Sequence, residues 1–227
     1  MNKEKILEKY YKQTLVEEDA QVLDFLQSLP KETIKYLEVG AGLGRFPLLL
    51  KNSPEFKHLD IVGLEINEVW VKKLEEQGLP IISGSVLSIP FPDNTFTVIH
   101  ASHLIEHFGY PDVVRVLDEL FRVVKEDGYV IFRSPLSHPG FYNDIDHIRP
   151  YPPKTILQYF ENKQQQKKGV AKVRIIKNWN RREAKNINSS LPGTGKINLI
   201  FKILWSRFGI PKDPPNGYVA VFQKQKS

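Results

Sequence analysis

The segment Tyr36-Leu37-Glu38-Val39-Gly40-Ala41-Gly42-Leu43-Gly44-Arg45-Phe46-Pro47 runs from an apolar stretch through three alternating glycines into the start of a helix. Glycine at such a turn lets the backbone bend sharply and approach a ligand with no Cβ in the way, and Pro47 suits a first helical turn. A nucleotide-like ligand at the carboxyl end of the first strand is the direct implication. The next apolar run, Ile61-Val62-Gly63-Leu64-Glu65-Ile66, ends in a carboxylate 21 residues after Gly44. An acidic side chain there can accept the hydroxyl protons of a ribose.

Loop and acid together suit a nicotinamide dinucleotide or S-adenosylmethionine. Dinucleotide folds prefer Gly-x-Gly-x-x-Gly, whereas this chain has Gly-x-Gly-x-Gly preceded by Glu38. A carboxylate at Glu38 would repel a pyrophosphate yet could help to orient a cationic amino-acid ligand.

Outward from the loop, short apolar runs at 34–39, 60–65, 81–83, 97–102 and 129–133 alternate with helical patterns at 45–51, 67–77 and 111–124. That alternation predicts a parallel sheet with crossovers on both faces. Lys125-Glu126-Asp127-Gly128 reads as a helix stop. The first 30 residues predict two helices or one kinked helix. Residues 134–153 hold five prolines and two histidines and read as a long functional loop. Further on, the pattern predicts a helix at 153–160, a strand at 173–177, a helix at 197–208 and a last strand at 218–224. The whole chain is expected to form one domain, with a helical cap over 1–30, a cofactor-binding core over 31–133 and an acceptor-side region over 134–227.

Composition narrows the function classes. The 227 residues include no cysteine, which excludes disulfides, thiolate zinc sites and cysteine nucleophiles. No apolar run reaches the ~20 residues of a membrane-spanning helix, and Met1-Asn2-Lys3-Glu4-Lys5 is too charged for a secretory signal, so a cytoplasmic location is expected. The net charge of +6 comes from residues 161–186, where nine basic side chains face Glu161 and Glu183; the remainder is close to neutral, at −1. The basic balance thus belongs to one segment, not to the whole surface.

Over residues 34–135 the chain resembles the class I S-adenosylmethionine-dependent methyltransferases. The resemblance rests on five features in order: the Glu38–Gly44 loop, Glu65, the stretch Gly84-Ser85-Val86 to Phe96, Ala101-Ser102-His103-Leu104-Ile105-Glu106-His107, and Leu120 to Tyr129. It implies an α/β, Rossmann-like three-layer sandwich whose mostly parallel seven-stranded sheet ends in an antiparallel last strand. It also implies that Gly40, Ala41 and Gly42, with Glu38 and Gly44 beside them, line the methionine moiety. Glu65 would hold the ribose, Ile66 would cover the adenine, and Ser85 and Val86 would meet its edge. Ala101 and His103 would lie below the methionine, facing the acceptor. Ser85 stands where relatives often carry Asp, and a hydroxyl accepts a hydrogen bond more weakly than a carboxylate.

Methyl transfer from a sulfonium is an in-line displacement with an activated leaving group, so a base is needed only where the acceptor must lose a proton. Asp146 and His147 are the candidate orienting carboxylate and base, with His107, Tyr142 and Arg149 on the acceptor side. His103 and His107 stand at an i, i+4 spacing that suits a metal, but a wall of the cofactor pocket explains them better and no metal site is expected. Tyr10 and Tyr11 are candidates for a lid. The expected acceptor is a small molecule methylated at oxygen or nitrogen. The basic segment, with Trp179 and Tyr159 for stacking, makes nucleic acid an alternative. A cofactor-binding partner subunit without transfer activity is another. The helix 197–208 is apolar around most of its circumference, and burial against the sheet or in a homodimer is the simplest account, with a lipid-linked acceptor as an alternative.

Overall fold

The structure is a computed structural model that describes residues 17–161, 169, 171–187, 191–210 and 212–226. The lid candidates Tyr10 and Tyr11 lie outside them, as do Lys163, Lys167 and Lys168 of the basic segment.

Seven strands form one sheet in the order β3-β2-β1-β4-β5-β7-β6. They are β1 (Ile34–Val39), β2 (Leu59–Glu65), β3 (Ile81–Ser83), β4 (Phe96–Ser102), β5 (Val124–Pro135), β6 (Lys172–Arg181) and β7 (Gly217–Gln225). The first five run parallel, and β7 is antiparallel to both β5 and β6. The expected α/β, Rossmann-like sheet is therefore present, with its antiparallel last strand inserted between β5 and β6. Helix α1 covers residues 17–28. It is followed by α2 (Arg45–Asn52), α3 (Glu68–Glu76), α4 (Asp112–Val123), α5 (Pro153–Phe160) and α6 (Thr194–Phe208).

Alternation along the central strands splits the core in two. Leu37, Val39, Ile99, Val130 and Phe132 pack with α4 and α5, whereas Tyr36, Val98 and Ile131 pack with α1 and α2. Helix α4 shows the patterning that drives this: Val113, Val116, Leu117, Leu120 and Phe121 recur at helical spacing and all are buried.

Two expectations change. The segment 125–128 does not stop a helix. Helix α4 ends at Val123, and the pairing of β5 with β4 jumps from Val124 to Tyr129 while β4 advances only from Phe96 to Val98, so the four residues bulge out of a strand. Gly128 is required for space, because a Cβ there would stand 2.9 Å from the carbonyl oxygens of both Lys125 and Thr97. Backbone cannot retreat as a side chain can, so Gly128→Ala is expected to cost about 1–3 kcal/mol. Thermal unfolding should show a fall of several degrees in Tm; an unchanged Tm would mean that the bulge relaxes freely. The second change is α6, where Trp205 is the one buried residue. The apolar helix is not covered by the sheet: Ile197, Ile200, Leu204 and Phe208 remain exposed along it.

Candidate functional site

The carboxyl ends of β1, β2 and β4 meet at one edge of the sheet. Gly40, Gly42 and Gly44 all have positive φ, of 65°, 55° and 73°. Leu64 O holds the amides of Gly40 (2.9 Å) and Ala41 (3.2 Å), and Ala41 O accepts from Gly44 N at 2.9 Å. Glu65 closes the loop: one carboxylate oxygen accepts from Gly42 N at 2.8 Å, the other from Ile66 N and Asn67 N at 2.9 Å each. Three of the roughly four lone-pair positions of a carboxylate are thereby used, which leaves room for one ribose hydroxyl rather than two.

The amides of Gly40, Ala41, Gly42 and Gly44 are thus all committed within the protein, so the loop has no row of free N–H groups for a pyrophosphate. A Cβ on Gly42 would meet only Trp70 Cζ3 at 3.9 Å and Gly40 O at 4.0 Å, so the loop presents bare backbone to open space. Leu43 and Ile66, both 69% exposed, flank it. Bare backbone, apolar flanks and a fixed carboxylate fit a sulfonium nucleoside such as S-adenosylmethionine better than a dinucleotide.

Glu38 departs from expectation. It is 3% exposed and lies beneath the loop, where one of its oxygens accepts Tyr36 Oη at 2.6 Å and pairs with His100 Nδ1 at 3.0 Å. Alternation on β1 aims it at the α2 side, so it supports the loop from below. Ala101, on the opposite face, is buried in the core. The hydroxyl of Ser85 accepts from Leu87 N at 3.2 Å, which shapes the 85–88 turn, and Val86 is buried beside it.

At the end of β4, His103 adopts a left-handed φ of 50° and Ile105–His107 form a single 3₁₀ turn, not the α-helix that the i, i+4 spacing assumed. His103 Nδ1 lies 3.3 Å from Glu106 Oε1, and its Nε2 lies 4.0 Å from Glu18. Burial pulls the His103 pKa down, but Glu106 and Glu18 outweigh it and hold the pKa above its usual value. Behind it lies an ion network that the strand pattern did not disclose. Arg133 of β5, 2% exposed, donates to Glu18 at 2.8 Å and Asp19 at 2.7 Å; Arg181 also reaches Glu18, at 3.0 Å, and Arg45 reaches Asp19. Burial pushes the Glu18 carboxyl up, yet His103 and the guanidiniums of Arg133 and Arg181 hold it at about 2. A 115-residue separation joins Glu18 to Arg133, which is why no local motif announced it.

The loop after β5 is pinned to this edge, because Ile148 N and Arg149 N both donate to Glu106 O. The expected pair of Asp146 and His147 is not formed. His147 Nδ1 is satisfied by Phe141 O at 2.8 Å, and the carboxylate nearest its Nε2 is Asp144, at 3.8 Å. Asp146 contributes its backbone oxygen, 3.0 Å from His107 Nδ1. Arg149 lies over the Tyr151 ring at 5.8 Å, and Tyr142 is exposed against Phe141. A cleft of about 680 Å³ opens on the same edge, lined in part by His138, Asn143, Glu183 and Asp213.

The basic segment is largely structural where described. Arg174 bonds Gln223, Lys177 bonds Gln21 O, and Arg181 bonds Glu18 and Asn216. Trp179 is partly buried against the core and lines a surface pocket, whereas Tyr159 is buried with its hydroxyl on Asp118 at 2.7 Å and is not free to stack on a base. No helix among the described residues is long and apolar enough to cross a membrane.

Comparison with known proteins agrees with this geometry. A family model described as a methyltransferase domain matches residues 37–132. Sterol 24-C-methyltransferase of Aspergillus fumigatus is 31% identical over 122 residues, covering 50% of this chain and 31% of that protein. Demethylmenaquinone methyltransferase of a Geobacillus species is 37% identical over 68 residues, covering 30% and 28%. The chain thus spans less than a third of the length of either relative. Among solved structures, YcgJ of Bacillus subtilis superposes with a TM-score of 0.59 at 18% identity, over 92% of this chain and 98% of that one. A SAM-dependent methyltransferase from Archaeoglobus fulgidus gives 0.58 at 20%, over 91% and 92%. Residues 37–132 of this chain accordingly match a methyltransferase domain, and that match together with the solved neighbours supports S-adenosylmethionine as the cofactor.

Proposed function

We propose that the chain transfers the methyl group of S-adenosylmethionine to an oxygen or nitrogen of a small acceptor that enters from the 134–151 side. The observation that carries this reading is the convergence of the Glu65-tethered glycine loop with the end of β4 at one sheet edge; a cleft of about 680 Å³ lies further along the sheet, lined by the segments after β5 and β6 and before β7. When bound, the cofactor supplies a methyl group already activated on a sulfonium, so the protein's part is positioning. In this reading Gly40, Ala41 and Gly42 give the methionine moiety close backbone approach, and Glu65 takes one ribose hydroxyl. Ile66 covers the adenine, with Ser85 and Val86 at its edge. His103 retains its proton to higher pH than an ordinary imidazole, which suits it to orienting an acceptor and not to deprotonating one.

An apolar, lipid-like acceptor is the form of this reading that the surface favours. Ile197, Ile200, Leu204 and Phe208 of α6 are exposed, as are Ile145 and Ile148 of the loop, and the relatives named above are called after a sterol and a demethylmenaquinone. The internal use of Arg174, Lys177 and Arg181 weighs against a nucleic-acid acceptor.

The test is incubation with methyl-labelled cofactor and separate panels of quinols, sterols, small phenols, amines and transfer RNA, with S-adenosylhomocysteine release as the readout. Turnover on a small apolar acceptor is expected. Labelled RNA alone, or cofactor binding with no turnover on any panel, would replace this reading with a nucleic-acid enzyme or a non-catalytic partner subunit.

A further inference from the structure

Glu106, His107 and His147 each bring a potential ligand atom to within 4.8 Å of the others, although His147 is forty residues away along the chain. The pinning of the loop to Glu106 O assembles them, by way of Ile148 N at 2.9 Å and Arg149 N at 3.3 Å. The two imidazoles stand 5.1 Å apart, centre to centre. Each is oriented by a backbone carbonyl: Asp146 O holds His107 Nδ1 and Phe141 O holds His147 Nδ1. A carbonyl can only accept, so Nδ1 carries the proton in each neutral ring and Nε2 keeps its lone pair. That is the support a metal-ligating histidine needs.

The carboxylate supplies an independent observation. Glu106 is fully buried. Its Oε2 accepts Ser134 Oγ at 3.0 Å, while Oε1 has no hydrogen-bond partner among the described residues, although His103 Nδ1 lies 3.3 Å away. A carboxylate oxygen away from water calls for a cation beside it. His103 is the one in place, and it faces Glu18 as well.

We propose that Glu106, His107 and His147 form a binding site for one divalent cation of the borderline class that accepts mixed nitrogen and oxygen ligands, such as zinc, cobalt or nickel. Two imidazoles and a carboxylate suit these ions better than magnesium or calcium, which prefer oxygen. Three protein ligands leave positions open for water or another oxygen donor, with Asp144 near His147 Nε2 at 3.8 Å. A cation so placed would lower the pKa of a hydroxyl that it held, a consequence that rests on the methyltransferase reading, whereas metal binding does not.

The experiment uses the full chain, stripped with a chelator, dialysed and titrated with Co²⁺ while ligand-field absorption is followed, then challenged with Zn²⁺. One equivalent of Co²⁺ displaced by Zn²⁺ is expected, with affinity reduced roughly tenfold or more in both His147→Ala and His107→Asn. Melting temperature and cofactor affinity, measured on the same variants, report whether they are folded. If His147→Ala melts early, His147→Gln replaces it in the comparison. No absorption at millimolar Co²⁺, or equal affinity in wild type and folded variants, overturns the proposal. Failure here leaves cofactor binding and turnover untouched, so it is distinguishable from failure of the methyltransferase reading.

Discussion

Arg133→Met is expected to lower Tm by roughly 10 °C at neutral pH. The substitution keeps much of the apolar stem but strands two carboxylates that are almost out of contact with water, Glu18 and Asp19. Removing one partner of a buried ion network typically costs about 3–5 kcal/mol, because the charges left behind have lost solvent and gained nothing. For a chain of this size each kcal/mol moves Tm by roughly 2–4 °C. Arg181 and Arg45 remain on the same carboxylates, which keeps the loss near the lower end. The pH dependence identifies the cause. Glu18 has a folded pKa of about 2 against an ordinary glutamate value of 4.5, so its contribution is fully present above pH 4.5 and is lost as pH falls towards 2. In the variant the carboxyl titrates higher, so its stability deficit should shrink between pH 4.5 and 2. A deficit that stays constant across that window would assign the effect to packing instead of charge.

Glu65→Gln is expected to weaken S-adenosylmethionine binding by roughly 10–100-fold, the equivalent of one charge-assisted hydrogen bond of about 1.5–3 kcal/mol. Glutamine preserves the length and one accepting oxygen, so some of the three backbone amides on Glu65 keep a partner. Glu65→Ala is a different experiment, since it also frees Gly42 N, Ile66 N and Asn67 N and should slacken the glycine loop. The alanine variant should therefore lose both cofactor affinity and thermal stability, and the glutamine variant mainly affinity. Calorimetric titration with S-adenosylmethionine, S-adenosylhomocysteine and NAD separates these outcomes. Unchanged affinity in the glutamine variant would remove Glu65 from the ribose contact and leave it a purely structural clamp.

The contrast between Glu65 and Glu38 marks how far a one-dimensional reading carries. Both carboxylates flank the same loop, and both read as cofactor residues. Glu65, the last residue of β2, meets the loop at its rim. Glu38 lies one residue inside β1, and the two-residue alternation of a strand turns it under the loop, into contact with Tyr36 and His100. Likewise Asp146 and His147 are neighbours in sequence, yet the turns of the loop give His147 to Phe141 O and Asp144, and give His107 to the backbone of Asp146. Sequence adjacency implied an interaction that the backbone direction prevents.

The sequence alone determined the parallel strands, the glycine turn and the carboxylate at the end of β2, because each is written in residues less than about one βαβ unit apart and enforced by local rules of period and turn chemistry. Only the tertiary structure decided which charges meet. The Glu18–Arg133–Arg181 network, the cluster of Glu106, His107 and His147, and the exposed apolar face of α6 each depend on segments that are remote along the chain. The partners in such contacts are chosen by how the strands are ordered and how the loops cross the sheet edge. No spacing rule within a single segment encodes those choices.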